Sequence, residues 1–262
     1  MLKSLTIKNL KEEITFKAIN DFFVGQSFTA TSDYYIATLI NCPNRSEKGV
    51  CISDNTKVLF YNRKSKKITK VLTRNLGHTN GITNNPRTKM IYTSNPTYEF
   101  SYKDISNINK VSLKKMSWSN KAIAYDNTTN QYYLVNSKDG KNEIYVYDAN
   151  FKFIKKFSMI RNTNQDCSAF KGLMLCATGV PREQRKTAKT NASVDVYRVS
   201  NNAYVGTINV NTMDFHNGRT YGIELEDVVY IGKGKFGLYF NYTGHVNKTA
   251  ARIYSTSDFP IS

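Results

Sequence analysis

Short runs of alternating apolar and polar residues, separated by turn-forming clusters, fill the chain from end to end. Five of these runs open alike, with a polar residue two places before an apolar one at the head of a strand that turns into a second. The heads are Gln26, Asn80, Lys121, Gln165 and Glu226, in segments such as Lys121-Ala-Ile-Ala-Tyr-Asp-Asn, Gln165-Asp-Cys-Ser-Ala-Phe-Lys-Gly-Leu and Glu226-Asp-Val-Val-Tyr-Ile-Gly-Lys-Gly-Lys-Phe. Period-two alternation around Gly, Asn and Asp turns predicts β-hairpins rather than helices. A second, more polar hairpin follows the first in several repeats: Lys57-Val-Leu-Phe-Tyr onward, Glu143-Ile-Tyr-Val-Tyr onward and Ser193-Val-Asp-Val-Tyr onward.

Each repeat holds four strands, and repeat starts 54, 41, 44 and 61 residues apart fall near the roughly 40 to 50 residues that one propeller blade needs. The pattern therefore predicts an all-β fold, a single five-bladed β-propeller of four-stranded antiparallel blades spanning residues 1–262, with blades starting near 25, 78, 119, 163 and 222. The fifth repeat ends one strand short, after Ala251-Arg-Ile-Tyr-Ser, while residues 1–24 contain an orphan alternating stretch, Glu13-Ile-Thr-Phe-Lys-Ala-Ile. Pairing the two closes the ring with the N-terminal strand and hides two sheet edges. A β-sandwich has similar strand spacing, but it does not predict five equivalent hairpins in one phase.

Charge changes the picture most. The chain carries a formal net charge of +17, and a field of that sign concentrates anionic partners: acidic cell-surface polymers, lipid head groups or nucleic acid. No apolar run approaches the roughly 18 residues of a membrane span. The start, Met1-Leu-Lys-Ser-Leu-Thr-Ile-Lys, alternates like a strand and lacks the apolar stretch of a signal peptide. A monomer without cofactor is expected.

The four cysteines form two close pairs, Cys42 with Cys51 and Cys167 with Cys176. A two-residue turn at Lys171-Gly172 sets Phe170 against Leu173 and, by counting back, Cys167 against Cys176. Opposed positions bring the sulfurs within bonding distance, yet cross-strand bridges are often strained, so thiol and disulfide both remain open. Neither pair has zinc-site spacing, and His78, His216 and His245 lie too far apart in sequence to form a local metal motif, so no metal site is expected.

In a propeller the innermost strand of each blade borders the central channel, so Gln26, Asn80, Lys121, Gln165 and Glu226 should converge at its mouth, joined by His78, Asp166 and Glu224. Such a cluster either binds a ligand or merely hydrates the channel. An enzyme would use Glu226 or Glu224 as general acid or base with His78 as proton partner. The two glutamates share a face if their strand is regular. No G-x-S-x-G elbow, P-loop or H-E-x-x-H occurs.

Basic residues recur on the outer strands, including Lys66, Lys67, Lys114, Lys115, Lys155 and Lys156, and a long polar stretch adds Arg182, Arg185, Lys186 and Lys189. They offer a rim that neutralises phosphates or carboxylates without sequence readout. Edge lysines also discourage sheet stacking. Trp118 is expected to pack between blades.

At the repeat starts, Gly77-His-Thr-Asn-Gly-Ile, Asn164-Gln-Asp-Cys-Ser-Ala-Phe and Glu224-Leu-Glu-Asp-Val-Val-Tyr-Ile, with Gly237-Leu-Tyr-Phe-Asn, the chain resembles the helveticin-type large bacteriocins and related bacterial five-bladed propellers. That resemblance implies a secreted antibacterial or surface-binding protein, extracellular or at the cell surface, acting without a cofactor. A fainter similarity is to plant-type glutaminyl cyclases, whose Asn-Glu-Leu-Glu-Tyr-type strand is matched by Ile223-Glu-Leu-Glu-Asp except at the leading Asn; it implies Glu226 as a catalytic acid. The residues favour a non-enzymatic binding propeller that meets an anionic surface polymer or membrane through its basic rim. The alternative is a channel-mouth enzyme using Glu224, Glu226 and His78.

Overall fold

The computed structural model describes residues 5–20, 22–41, 55–94, 96–111, 113, 120–138, 140–161, 164–178, 192–210, 223–242 and 249–261. They form five sheets. The first blade is β3 (Phe22–Ala30), β4 (Tyr34–Asn41), β5 (Asn55–Asn62) and β6 (Lys67–Asn75), and the second is β7 (Ile82–Asn85), β8 (Met90–Thr93), β9 (Tyr98–Ser101) and β10 (Ile108–Lys110). The third is β11 (Asn120–Asp126), β12 (Gln131–Lys138), β13 (Lys141–Asp148) and β14 (Phe153–Ser158). The fourth holds β15 (Asn164–Phe170), β16 (Leu173–Thr178), β17 (Ala192–Arg198) and β18 (Ala203–Val210), and the fifth β19 (Ile223–Gly232), β20 (Lys235–Tyr242) and β21 (Thr249–Thr256). Within each blade consecutive strands pair antiparallel. The inner strands β3, β7, β11, β15 and β19 each pack on the next, and β19 returns to β3, so the ring is closed.

The N-terminus closes that ring twice. As the orphan stretch predicts, β2 (Lys11–Lys17) supplies the fourth strand of the fifth blade, pairing antiparallel with β21 from Lys11↔Ser255 to Lys17↔Thr249. Ahead of it, β1 (Leu5–Ile7) pairs parallel with β18, Leu5↔Ile208 to Ile7↔Val210, as a fifth strand on the fourth blade. The alternating start of the chain is strand-like, and its partner is the outer strand of the blade before the one that β2 completes.

Burial explains the blade order. Inner and middle strands read as nearly continuous buried runs, for example β11 and β16, whereas the outer β14 alternates between half-buried and exposed. Buried apolar side chains of the described residues gather into five clusters, one at each junction between neighbouring blades. Propeller sheets thus bury both faces against neighbours, and each burial removes apolar surface from water at about 25 cal/mol per Å². Glycine is required where sheets crowd: a Cβ at Gly25 would lie 2.6 Å from Tyr239 Oη and 2.7 Å from Ala251 Cβ.

The Lys171-Gly172 turn is the predicted two-residue hairpin, with φ of +50° and +76°, the left-handed pair of a type I′ turn. Phe170 opposes Leu173 and Cys167 opposes Cys176. The two cysteines form a disulfide, and both are buried. Cys42, Cys51, His216, His245, Trp118, Lys114, Lys115, Arg182, Arg185, Lys186 and Lys189 lie outside the described residues.

Candidate functional site

Four of the five heads sit in breaks of the strand ladder. Register shifts fall between Gly25 and Phe28, Asn120 and Ala122, Asn164 and Cys167, and Leu225 and Asp227, so Gln26, Lys121, Gln165 and Glu226 each lie within a bulge. Asn80 lies two residues before the start of β7, in the segment that enters the second blade. A bulge leaves a residue out of the ladder, sharpens the twist and re-aims its side chain. The strand carrying Glu224 and Glu226 is therefore not regular, and the alternation argument for their shared face fails. They come together by another route: Asn241 stands opposite Glu224 in the ladder and its Nδ2 donates to Glu226 Oε1 at 3.3 Å.

Two pairs of polar side chains at this mouth are engaged with each other, while Asn241 Oδ1 is buried there without a hydrogen-bond partner. Gln165 Nε2 donates to Glu224 Oε1 across the fourth and fifth blades. Gln26 Nε2 turns back to the carbonyl of Gly25 at 3.2 Å. His78 is half-buried in the segment between β6 and β7, where Thr56 Oγ1 donates to Gly77 O at 2.9 Å and Ser27 Oγ to Thr79 O at 3.1 Å. Lys121 is half-buried, its carbonyl accepting from Ser94 Oγ at 3.3 Å.

One residue deeper, the corresponding positions are Ser27, Gly81, Ala122, Asp166 and Asp227. Three are small because the two aspartates occupy the axis. Both are fully buried. Asp166 accepts from its neighbour Cys167 N at 2.7 Å and from Ile82 N of the second blade at 3.1 Å. Asp227 accepts from Val228 N at 2.7 Å and from Phe28 N of the first blade at 3.2 Å. The carboxyls also hydrogen-bond each other, which requires a proton between them. Burial, reinforced by the charge of Asp227, holds Asp166 well above the usual carboxylate range, and burial pushes Asp227 up to about 7. A Cβ at Gly81 would lie 2.5 Å from Asp166 Oδ1 and 2.9 Å from Ile123 N, so a third blade also closes on this acid. The pair plugs the channel and ties blades together. Sequence reasoning placed Asp166 at the mouth and missed Asp227, although the paired Gln-Asp and Glu-Asp starts of two repeats carried the signal.

Beyond the plug, at the opposite mouth, the C-terminal ends of all five inner strands enclose a cavity of about 660 Å³. Hydrogen bonds cross every blade junction around it. Asn84 Nδ2 donates to Ala30 O at 3.2 Å, Arg87 to Asn127 Oδ1 and O at 3.0 and 2.9 Å, and Gly172 N to Asp126 Oδ2 at 2.6 Å. Ser168 Oγ donates to Val228 O, and Arg63 bridges Thr31 O and Ile231 O at 2.8 and 2.7 Å. The cavity is thereby fixed in shape before any ligand arrives. One wall is aromatic: Phe170 and Tyr230 have ring centroids 4.5 Å apart, and Phe236 packs edge-on against both. Among the described residues Asp126 is the one acid in the lining, and Thr128 N, Thr129 Oγ1, Tyr133 Oη and Gly172 N all donate to it.

The turns around this mouth carry exposed cations: Arg87 and Lys89 on the second blade, Lys171 on the fourth, Lys233 and Lys235 on the fifth. The turn between β5 and β6 opens on the same face and adds Lys66 and Lys67, both exposed, beside Arg63. Against them stand Asp33, Asp104, Asp148 and Asp258. The last three are engaged by Ser106, by the Asn150 and Lys152 amides and by Asn9. Two of the expected rim lysines do structural work instead. Lys155 Nζ donates to Val199 O, Ser200 O and Asn202 Oδ1 of the fourth blade at 2.6, 3.2 and 2.8 Å, and Lys156 pairs with Glu143 at 2.9 Å.

No protein-family model matches the chain, and no curated protein does. The resemblances to helveticin-type bacteriocins and to glutaminyl cyclases gain no support there. Solved structures align over most of it at low identity. RRP9 WD40 repeats align over 92% of this chain and 67% of that one, with 10% identity and a TM-score of 0.47. U3-55K aligns over 87% and 65%, with 10% identity and a TM-score of 0.47. A Kuenenia stuttgartiensis hydrazine synthase chain aligns over 90% and 63%, with 12% identity and a TM-score of 0.47. The chain thus spans about two thirds of the length of each. Its own five sheets and closed ring define it as a five-bladed β-propeller.

Proposed function

We propose that the protein is a non-enzymatic binding propeller that engages an anionic polymer of a bacterial cell surface across the face bearing the cavity. The observation that carries this reading is the union of a preformed cavity, whose lining among the described residues holds no His or Cys and one acid already engaged by four donors, with exposed lysines and arginines on the turns around it. Catalysis needs a group positioned to move a proton or attack; binding needs shape and complementary charge. The net charge of +17 draws a polyanion from a distance, and turn cations hold it. The buried Cys167–Cys176 disulfide supports an oxidising, extracellular location. An antibacterial role rests on the family resemblance alone.

The test is retention of the purified chain on bacterial cells, isolated wall polymers, anionic liposomes and nucleic acid at low and high salt. Salt-sensitive retention on wall polymer, lost in Lys171→Glu with Lys233→Glu, supports the reading. Preference for liposomes or nucleic acid, or retention indifferent to the charge reversals, overturns it. The enzyme reading keeps one favourable observation, two buried glutamates converging on Asn241, and predicts a turnover abolished by Glu226→Gln with the fold intact.

A further inference from the structure

We propose that the cavity is a saccharide subsite, and that the polyanion held by the propeller is accordingly an anionic glycan; this rests on the binding reading above and narrows it to one ligand class. Two walls of different chemistry face the space. The Phe170–Tyr230 pair is tilted by 36°, and Phe236 meets both rings edge-on at 5.2 and 5.3 Å, so the wall is broad and ridged. A flat base calls for an open platform or a parallel slot, whereas the axial C–H face of a pyranose packs on a single tilted ring. The other wall is polar. Asn84 Nδ2 is used on Ala30 O, and Asn84 Oδ1, in a residue that lines the cavity, is buried without a hydrogen-bond partner, as Asn241 Oδ1 is at the other mouth. A buried acceptor left unmade costs free energy, which a donor on the ligand recovers. Thr83 Oγ1 accepts from Tyr125 N at 3.0 Å, leaving its own proton to donate.

A sugar ring supplies what this pair of walls lacks: hydroxyls that both donate and accept around its edge, and an apolar face. The volume, about 660 Å³, lies in the range of small-molecule sites. An acyl chain meets polar groups on one whole wall, which argues against a lipid tail. Carboxylate, phosphate or sulfate substituents on neighbouring sugars would then reach Lys171, Lys233 and Lys235, exposed at the mouth.

The experiment is titration calorimetry of the full chain with four probes: an oligogalacturonate, the neutral oligogalactose of equal length, a single-stranded DNA of equal charge and phosphatidylglycerol vesicles. Expected is saturable binding of the oligogalacturonate, weaker but measurable binding of the neutral oligosaccharide, and loss of about tenfold in affinity for both in Tyr230→Leu and in Asn84→Leu. Lys235→Glu, exposed and outside the cavity lining, should weaken the charged oligosaccharide alone. Circular dichroism and melting of each variant show whether it is folded, and Asn84→Leu, at a half-buried position, reads the subsite if Tyr230→Leu unfolds. Saccharide affinity unchanged in both cavity variants, or DNA or vesicles bound with saccharides ignored, overturns the subsite. Retention of wall polymer lost on Lys171→Glu but untouched by Tyr230→Leu and Asn84→Leu would retain the binding reading while removing this one.

Discussion

The two mouths of the channel differ in how their polar groups are engaged. At the N-terminal mouth, Gln165 donates to Glu224 and Asn241 to Glu226, and immediately below them Asp166 and Asp227 accept backbone amides from four blades. At the other mouth the side chains that cross blade junctions leave a cavity between them, and the cations on the turns remain exposed. Buried polar groups are costly unless satisfied, so a cluster of them near an axis is first a structural demand. Groups on short, rigid turns carry no such debt and remain available to a partner.

That contrast is broken or sharpened by four measurements. Asp227→Ala should have the largest effect, because it strips the acceptor from two buried amides and leaves Asp166 without its partner; a loss of about 2–5 kcal/mol in urea denaturation is expected. A loss below about 1 kcal/mol would mean that the plug is not what joins the blades. Removing the adjoining disulfide in Cys167→Ala with Cys176→Ala should cost about 2–3 kcal/mol, since it closes a sequence separation of 9 residues, while polymer retention in the folded protein stays unchanged.

Third is a pH dependence. The folded pair keeps protons on both carboxyls that unfolded aspartates, near 3.8, release, so between about pH 4 and 7 the folded state binds more protons, one of which Asp227→Asn removes. Its stabilising contribution is complete below the unfolded value and declines as pH rises through the folded one, by up to about 1.4 kcal/mol per pH unit for one proton. Denaturation midpoints across that window should flatten in Asp227→Asn; an equal slope in both proteins would assign the effect elsewhere. Smallest is Glu226→Gln. The amide oxygen can keep the Asn241 contact, so stability should change by less than about 1 kcal/mol and polymer binding not at all. Lost binding would move the site to the N-terminal mouth.

Much of the fold was legible locally. The Lys171-Gly172 turn fixed the register that sets Cys167 against Cys176, and the alternation after Glu13 supplied the closing strand. The candidate site was less so. Gln26, Lys121, Gln165 and Glu226 are correctly read as strand heads, but bulges there depend on what packs across the ring, and no periodicity announces them. Lys155 reads as a rim cation and instead caps a turn of the neighbouring blade, a contact that exists only once two blades stack.

By itself, then, the sequence determined strand positions, hairpin turns, blade number and the sign of the charge, because alternation and turn chemistry act over a few residues. Tertiary structure alone decided that Asp166 meets Asp227, that β1 joins the fourth blade, and that the cavity with exposed cations lies at the mouth opposite the heads. Those outcomes depend on residues brought together from different blades, with contacts such as Phe28 to Asp227 that only ring closure creates.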